Sequence, residues 1–221
     1  MEFRTYVGAC FDLDGTLVDT APLHVRAERE ALSYLGVGDL SSDHPDTFGM
    51  GLEPGTEALA RQYGLRSAQD VMDVYLPLWE EQLRLNLALM PGARSVLATL
   101  KAAGVPTALV TSGEKSYAND VFHRLELAEY FSAVVTWEDV ANPKPHPEPY
   151  LLAAERLNIA PELCVGFEDS RAGLIALKAA GMRAFLVHPD NAARARLQPY
   201  ADDALETLSD FDEPRIARLF E

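Results

Sequence analysis

Short runs of apolar residues alternate with amphipathic stretches along most of the chain. The apolar runs are four to six residues long and show little internal alternation, which is typical of strands buried on both faces of a sheet. We predict strands at residues 6–11, 105–110, 133–136, 163–167 and 182–187.

Two amphipathic stretches end in the same five residues, Leu-Lys-Ala-Ala-Gly, immediately before a predicted strand. They predict helices at residues 93–103 and 170–180, followed by Gly104 and Gly181. Glycine just past a helix permits the left-handed backbone conformation that ends it. Since helices separate strands of this kind, the predicted fold class is α/β, with a parallel sheet covered on both faces.

Residues 18–89 show a different pattern, with helical periodicity and no convincing strand. One helix is predicted to begin after Ser67, because serine is a favourable N-cap. Pro77 is expected to kink or split that helix. We therefore predict an all-helical domain at residues 18–89, inserted into a core domain made of residues 1–17 and 90–221.

The composition is that of a soluble globular protein, with 48% hydrophobic and 24% charged residues. No apolar run approaches the length needed to cross a bilayer, and the N-terminus lacks a charged-then-apolar leader. Cys10 and Cys164 lie in apolar runs and are expected to be buried thiols in a reducing compartment rather than a disulfide. We therefore expect a cytoplasmic protein with no membrane partner.

The formal net charge is −15, from 19 basic and 34 acidic residues. Such a surface repels the phosphate backbone of nucleic acids, so a nucleic-acid partner is not expected. The same repulsion acts on any phosphorylated small molecule. A phosphate-binding site in this chain would need local positive charge from a metal ion, a lysine or backbone N–H groups.

Chemically competent side chains follow four of the predicted strands. In chain order they are Asp12 and Asp14, Thr111 and Ser112, Lys144, and Glu168 and Asp169. The carboxyl ends of parallel strands lie at one edge of a sheet, where ligands bind in open α/β folds, so we expect these groups to lie close together. Paired carboxylates suit a hard cation such as Mg²⁺, and a hydroxyl, a lysine and backbone donors suit phosphate oxygens.

Each of these elements also has an ordinary structural explanation. Aspartates and Thr-Ser pairs commonly occupy turns or cap helices, and acidic residues favour helix N-termini. Lys144, which stands between two prolines, could be a solvated loop lysine. The occurrence of all four at predicted strand ends favours a combined metal and phosphate site.

The same four segments resemble the ordered motifs of the haloacid dehalogenase superfamily. They are Asp12-Leu13-Asp14-Gly15-Thr16, Thr111-Ser112, Lys144-Pro145 and Glu168-Asp169-Ser170. The match spans nearly the whole chain, and the helical insertion is similar to the cap of the superfamily's phosphatase and phosphoglucomutase branch. The resemblance implies a Rossmann-like core with an inserted helical cap, and hydrolysis of a small phosphate monoester such as a sugar phosphate or phosphoglycolate.

The resemblance also implies roles for the motif residues. Asp12 would be the nucleophile that forms an aspartyl-phosphate. Asp14 would protonate the leaving oxygen and then activate the hydrolytic water. Thr111, the backbone N–H of Ser112 and Lys144 would hold the transferring phosphoryl group.

The implied cofactor is Mg²⁺, which would be held by Asp12, the main-chain carbonyl of Asp14 and Asp169, with Glu168 contributing directly or through a water. The dehalogenases that gave the superfamily its name lack an aspartate at the position of Asp14 and need no metal. Asp14 therefore favours phosphate chemistry. The expected partner is a small phosphate ester, and we expect a monomer, with an oligomer left open.

A sugar phosphomutase is the alternative function. His24 matches a histidine that, in the family's phosphoglucomutases, limits wasteful hydrolysis and positions the general acid, so we predict that it contributes to substrate binding. Against the mutase, residues 48–53 offer no basic side chain for a second phosphate. A non-catalytic binding protein ranks third, because it would be expected to lack one of the motif carboxylates or the motif lysine, and all are present.

Overall fold

The computed structural model of the chain describes residues 6–38, 40, 44, 45, 47 and 51–220. The chain forms two compact units. We call Met1–Val18 together with Leu89–Glu221 the core unit, and Asp19–Ala88 the helical unit. Within the described part of the chain, every helix is too short or too polar to span a membrane.

The core unit contains a six-stranded sheet. Its strands are β1 (Gly8–Phe11), β2 (Thr107–Val110), β3 (Ala133–Val135), β4 (Cys164–Glu168), β5 (Arg183–Val187) and β6 (Asp203–Leu205). Every neighbouring pair is parallel, and the spatial order is β3-β2-β1-β4-β5-β6. The predicted α/β class with a parallel sheet is confirmed. The order reverses direction between β1 and β4, which is where open α/β sheets bind ligands.

Aromatic packing sets the relative height of the two central strands. Phe11 and Phe167 are register partners, and their rings stack with centroids 4.6 Å apart. Phe167 also stacks on Phe185 of β5, at 5.2 Å. Phe11 immediately precedes Asp12, and Phe167 immediately precedes Glu168. The packing of the two rings therefore places Asp12 and Glu168 at the same level along their strands, at the carboxyl edge of the sheet.

The helical unit contains α1 (Ala21–Tyr34), α2 (Leu52–Tyr63) and α3 (Ala68–Asn86). Ser67 caps α3 as predicted, since its side chain accepts a hydrogen bond from the Asp70 N–H at 3.1 Å. Of the predicted kink or split at Pro77, the split is wrong, because α3 continues through this residue, and the kink stays a prediction. Pro77 is exposed, so water can satisfy the carbonyl that loses its donor, while buried Val71 and Tyr75 hold the helix in place.

The described part of the core unit also contains five short 3-10 helices and six α-helices. The α-helices are α4 (Ala93–Ala102), α5 (Lys115–Leu125), α6 (Glu148–Leu157), α7 (Arg171–Ala179), α8 (Asn191–Leu197) and α9 (Glu213–Phe220). Helices α6 and α7 contribute Tyr150 and Leu174 to the same apolar cluster as the sheet residues Cys10 and Cys164. Both cysteines are buried free thiols, as predicted.

Candidate active site

The first acidic motif follows β1 in a tight turn. Gly15 has a φ of +80°, which favours glycine, and its N–H donates to the Val18 carbonyl at 2.9 Å. The Asp12 N–H donates to the Phe167 carbonyl of β4 at 3.0 Å, which continues the sheet pairing by one residue. As a result Asp12 is buried against the sheet, whereas Asp14 beyond it is half-buried.

Lys144 reaches the centre of the carboxyl edge. Its ammonium group donates to Asp12 Oδ1 and to Glu168 Oε1, both at 2.6 Å, and to the Val110 carbonyl at 3.0 Å. Only 6% of the side chain is exposed, so the solvated-loop explanation for this lysine is wrong. Lys144 therefore joins the ends of β1, β2 and β4 through one cation.

The loop that carries Lys144 is closed onto the start of α6. The Glu148 carboxylate accepts hydrogen bonds from the Ala141 N–H at 2.7 Å and from the Asn142 N–H at 3.1 Å. It also accepts from the Asn142 side-chain amide at 2.7 Å. These bonds hold the backbone on both sides of Lys144 and set the direction from which its side chain enters.

Glu168 is the fully buried anchor of the lysine. Its Oε1 accepts from Lys144 and also from the Tyr150 hydroxyl at 2.7 Å. Its Oε2 accepts from the Ser170 N–H at 3.2 Å and from the Ser170 hydroxyl at 2.9 Å. Because hydrogen bonds to both oxygens fix the carboxylate, Glu168 can hold the ammonium in a fixed position.

Gly173 provides the space for this carboxylate. A Cβ at Gly173 would lie far inside van der Waals contact with the Glu168 carboxyl group. Helix propensity alone favours alanine over glycine in α7. The space that the Glu168 carboxyl group needs therefore accounts for glycine at position 173, although alanine would favour the helix.

We predict that Gly173→Ala lowers the free energy of unfolding by about 2 kcal/mol, because an overpacked core site must shift its neighbours. The same change at Gly55 of α2 is a matched control. A Cβ there would meet Thr47 at an ordinary 3.6 Å, so Gly55→Ala should leave stability unchanged or raise it by about 0.5 kcal/mol. Urea unfolding of both variants measures the difference, and equal effects would contradict the crowding at Gly173.

Three acidic side chains gather beside the lysine. Asp12, Glu168 and Asp169 each offer a carboxylate oxygen, and these oxygens lie within 4.8 Å of one another. Burial, followed by the charge of Glu168, raises the pKa of Asp12 to about 8. Burial, followed by the charges of Asp12 and Glu168, also raises the pKa of Asp169 well above its usual value.

The residues of this cluster fit a metal cation. Burial lowers the pKa of Lys144, but the carboxylates of Asp12 and Glu168 outweigh burial and raise it, so the lysine is protonated. One ammonium offsets one negative charge, so ionisation of all three carboxyl groups would leave a net negative site that a divalent cation can neutralise. An all-oxygen donor set fits Mg²⁺, the hard cation expected from the sequence. The Asp14 side chain is not in this three-residue group, and its predicted contribution was through the main-chain carbonyl.

Thr111 and Ser112 follow β2 at the same edge. Thr111 is buried, and its N–H donates to the Val135 carbonyl at 2.9 Å. Its hydroxyl accepts from the Gly113 N–H at 3.0 Å, and a hydroxyl that accepts can still donate its own proton. Ser112 is exposed. Their predicted roles in holding phosphate stay predictions.

His24 lies in a polar cluster inside the helical unit. Its Nδ1 lies 2.7 Å from the Tyr75 hydroxyl and its Nε2 lies 2.8 Å from the Thr47 hydroxyl. Nε2 is also 3.4 Å from buried Glu28. The predicted role of His24 toward substrate stays a prediction, and residues 48–50 of the glycine-rich segment lie outside the described residues.

Three contributors to the site were not predicted from the sequence. Tyr150 supports Glu168, Gly173 makes room for it, and the Tyr117 hydroxyl donates to Asp14 Oδ1 at 2.5 Å. Tyr117 and Tyr150 stand in ordinary amphipathic helices. A glycine in the interior of a predicted helix was the one available signal, because glycine is unfavourable there without a packing reason.

Comparison with known proteins places this arrangement in a family. A family model described as haloacid dehalogenase-like hydrolase matches residues 6–181. The chain belongs to the haloacid dehalogenase-like hydrolases. The resemblance inferred from the four motifs is therefore confirmed, and the matched region contains every residue of those motifs.

Two curated hydrolases of this family illustrate the similarity. The phosphoglycolate phosphatase of Escherichia coli (strain K12) is 33% identical over 205 residues, which cover 81% of this chain and 80% of the relative. Hexitol phosphatase B of the same strain is 33% identical over 211 residues, which cover 94% of this chain and 95% of the relative. Among solved structures, a Thermotoga maritima protein provisionally described as a beta-phosphoglucomutase is 32% identical, with a TM-score of 0.78. The match covers 92% of this chain and 96% of that protein.

Proposed function

We propose that this protein is a Mg²⁺-dependent phosphatase that hydrolyses a small phosphate monoester through an aspartyl-phosphate at Asp12. The observation that carries the proposal is the buried Lys144 ammonium, which lies 2.6 Å from both Asp12 and Glu168 beside Asp169. The names of the two curated relatives agree with a phosphatase. They also favour sugar phosphates and phosphoglycolate as the substrate class.

In the proposed first half-reaction, an Asp12 carboxylate oxygen attacks phosphorus. Lys144 is placed to neutralise developing charge at this point, and the Thr111 hydroxyl and Ser112 N–H are the proposed donors to the remaining phosphoryl oxygens. Asp14 gives its proton to the leaving oxygen, which departs as an alcohol.

In the second half-reaction, Asp14 takes a proton from water as the water oxygen attacks phosphorus. The bond to Asp12 then breaks and phosphate is released. Asp12, Asp169 and Glu168, with the main-chain carbonyl of Asp14, would hold Mg²⁺. When bound, the ion supplies positive charge that offsets the repulsion between the carboxylates and the phosphate.

A sugar phosphomutase is the second candidate. It is favoured by His24 in the helical unit and by the description of the Thermotoga maritima protein. We propose that the helical unit acts as the cap and contributes to the choice of substrate in either case. The phosphatase is preferred because the described residues 51–53 of the glycine-rich segment are Gly51, Leu52 and Glu53, which offer no cation for a second phosphate.

A substrate panel separates these functions. Purified protein with Mg²⁺ is incubated with sugar phosphates, phosphoglycolate and nucleotides, and both inorganic phosphate and isomerised sugar phosphate are measured. Steady phosphate release is the expected result. Isomerisation without release would replace the phosphatase by the mutase, and inactivity on every compound would favour a non-catalytic phosphate-binding protein.

We predict that Mg²⁺ raises the midpoint of thermal unfolding more at pH 8 than at pH 5.5. In the metal-free protein the pKa of Asp12 is about 8, against about 4 for an aspartate in an unfolded chain. A raised carboxyl pKa contributes stability below the unfolded value, and that contribution is lost as the pH rises toward 8. Metal binding replaces the proton, so its stabilising effect grows over the same pH range.

The matched control for the metal experiment is a pair of aspartate variants. Asp169→Asn should remove most of the Mg²⁺-dependent rise in the midpoint of thermal unfolding. Asp202→Asn, which changes an exposed residue of the core unit, should retain that rise. Differential scanning fluorimetry with and without a chelator measures both. A shift of equal size at both pH values, or one that survives Asp169→Asn, would contradict metal binding at this cluster.

A further inference from the structure

We propose that Tyr117 is a positioning residue for the proton transfers, because its hydroxyl holds the Asp14 carboxyl group in the orientation that protonates the leaving group. This inference rests on the proposed function, in which Asp14 is the general acid and base. It adds a residue that none of the four sequence motifs contains.

The contact itself is short and joins distant parts of the chain. The Tyr117 hydroxyl donates to Asp14 Oδ1 at 2.5 Å across 103 residues of sequence. Both residues are half-buried, so the bond is partly shielded from water. A hydroxyl-to-carboxylate bond of this length is among the stronger hydrogen bonds in proteins, and it restricts rotation of the carboxyl group.

The helix that carries Tyr117 is fixed at its first turn. The Lys115 N–H donates to both oxygens of the Glu138 carboxylate at 3.0 Å. The Trp137 N–H donates to the Gly113 carbonyl at 3.1 Å. Since both partners lie just after β3, the start of α5 is attached to the sheet edge two residues before Tyr117.

Gly113 gives the tyrosine ring its place. A Cβ at Gly113 would lie 2.7 Å from Tyr117 Cδ1, which is closer than real side chains approach. The ring therefore packs directly over the backbone that follows Thr111. The same glycine donates its N–H to the Thr111 hydroxyl at 3.0 Å, so one segment supports both the phosphate-binding motif and the tyrosine.

This arrangement serves both half-reactions. Because the Tyr117 O–H donates to Oδ1, the proton of the acid form of Asp14 is carried on Oδ2. In the first half that proton passes to the leaving oxygen as its bond to phosphorus breaks and the bond from Asp12 forms. In the second half Oδ2 recovers a proton from water as the phosphorus–Asp12 bond breaks. Tyr117 itself neither gains nor loses a proton.

The leaving group distinguishes positioning from a merely structural role. An alkyl alkoxide is a poor leaving group and needs the proton from Asp14, whereas p-nitrophenolate departs as a stable anion. We expect Tyr117→Phe to lower kcat/KM about tenfold for the alkyl ester, as for a misplaced general acid, and less than about twofold for p-nitrophenyl phosphate. The alkyl ester is phosphoglycolate or glucose 6-phosphate, whichever wild-type protein hydrolyses faster.

The control is Tyr130→Phe, which removes a tyrosine hydroxyl elsewhere in the core unit and should change neither value. If Tyr117→Phe lowers both values by the same factor, or changes neither, the positioning role is wrong while the phosphatase function stands. If wild-type protein releases phosphate from none of these esters, the proposed function is wrong and this inference falls with it.

Discussion

Asp12→Asn should yield a folded protein that hydrolyses phosphate esters slower than wild type by a factor of about 10⁴ or more, as loss of a catalytic nucleophile does in other enzymes. The amide has nearly the same shape as the carboxylate but cannot form the phosphoryl bond. No other group has to move for this effect, since the Asp12 N–H still pairs with the Phe167 carbonyl. Steady-state phosphate release measures it.

The stability of Asp12→Asn separates loss of chemistry from loss of fold. Burial and Glu168 raise the pKa of Asp12 to about 8, so in the metal-free protein at pH 7 the neutral form is favoured. A neutral amide should therefore unfold at the same temperature as wild type or a higher one in a chelator. A variant that kept activity would rule out Asp12 as nucleophile, and a variant that unfolded early would show that its carboxylate is needed for the fold.

Lys144→Met should destabilise the protein more than any other single substitution among the motif residues. It leaves Glu168, with 0% of its side chain exposed, buried without its cation. Removing one member of a buried ion pair costs about 3–5 kcal/mol, and the same variant loses the positive charge proposed to act on the phosphoryl group. Urea unfolding and phosphate release should both show the loss.

Two further variants make the Lys144 result specific. Adding Glu168→Gln to Lys144→Met removes the uncompensated charge, so part of the lost stability should return while activity does not. Lys178→Met breaks an exposed pair with Asp202 and should cost less than about 1 kcal/mol. If Lys144→Met cost no more than Lys178→Met, the buried ammonium would not be the centre of the site.

The sheet was predictable because its strands carry a strong local signal. Residues of β1, β2 and β4 are buried without exception, so continuous apolar runs mark them in the sequence. Strand β6 was missed because it is only Asp203–Leu205, with a charged first residue and one buried side chain. Two consecutive apolar residues, such as Ala204 and Leu205, also occur in many loops and helices, so they do not identify a strand.

The motif residues were predictable because each one lies at the end of a strand or in the loop after it. Asp12 and Thr111 directly follow β1 and β2, Glu168 is the last residue of β4, and Lys144 lies in the loop between β3 and α6.

The mutual contacts of the motif residues were not predictable. The burial of Lys144 depends on Glu168 of β4 and Tyr150 of α6, which both contact it. The residues that neighbour Lys144 in the sequence do not indicate that its side chain is buried. The bond between Tyr117 and Asp14 depends in the same way on packing between α5 and the turn after β1.

Nucleophilic catalysis by Asp12 is tested most directly by trapping the phosphorylated enzyme. Asp14→Asn retains the nucleophile but lacks the proposed base, so with Mg²⁺ and p-nitrophenyl phosphate it should accumulate the aspartyl-phosphate. Acid quenching and intact-mass spectrometry should show one added phosphoryl group, which peptide mapping places on Asp12 and which is absent from the Asp12→Asn, Asp14→Asn double variant. A phosphoryl group on another residue, or nitrophenol release with no phosphorylated protein at any time, would contradict catalysis by Asp12.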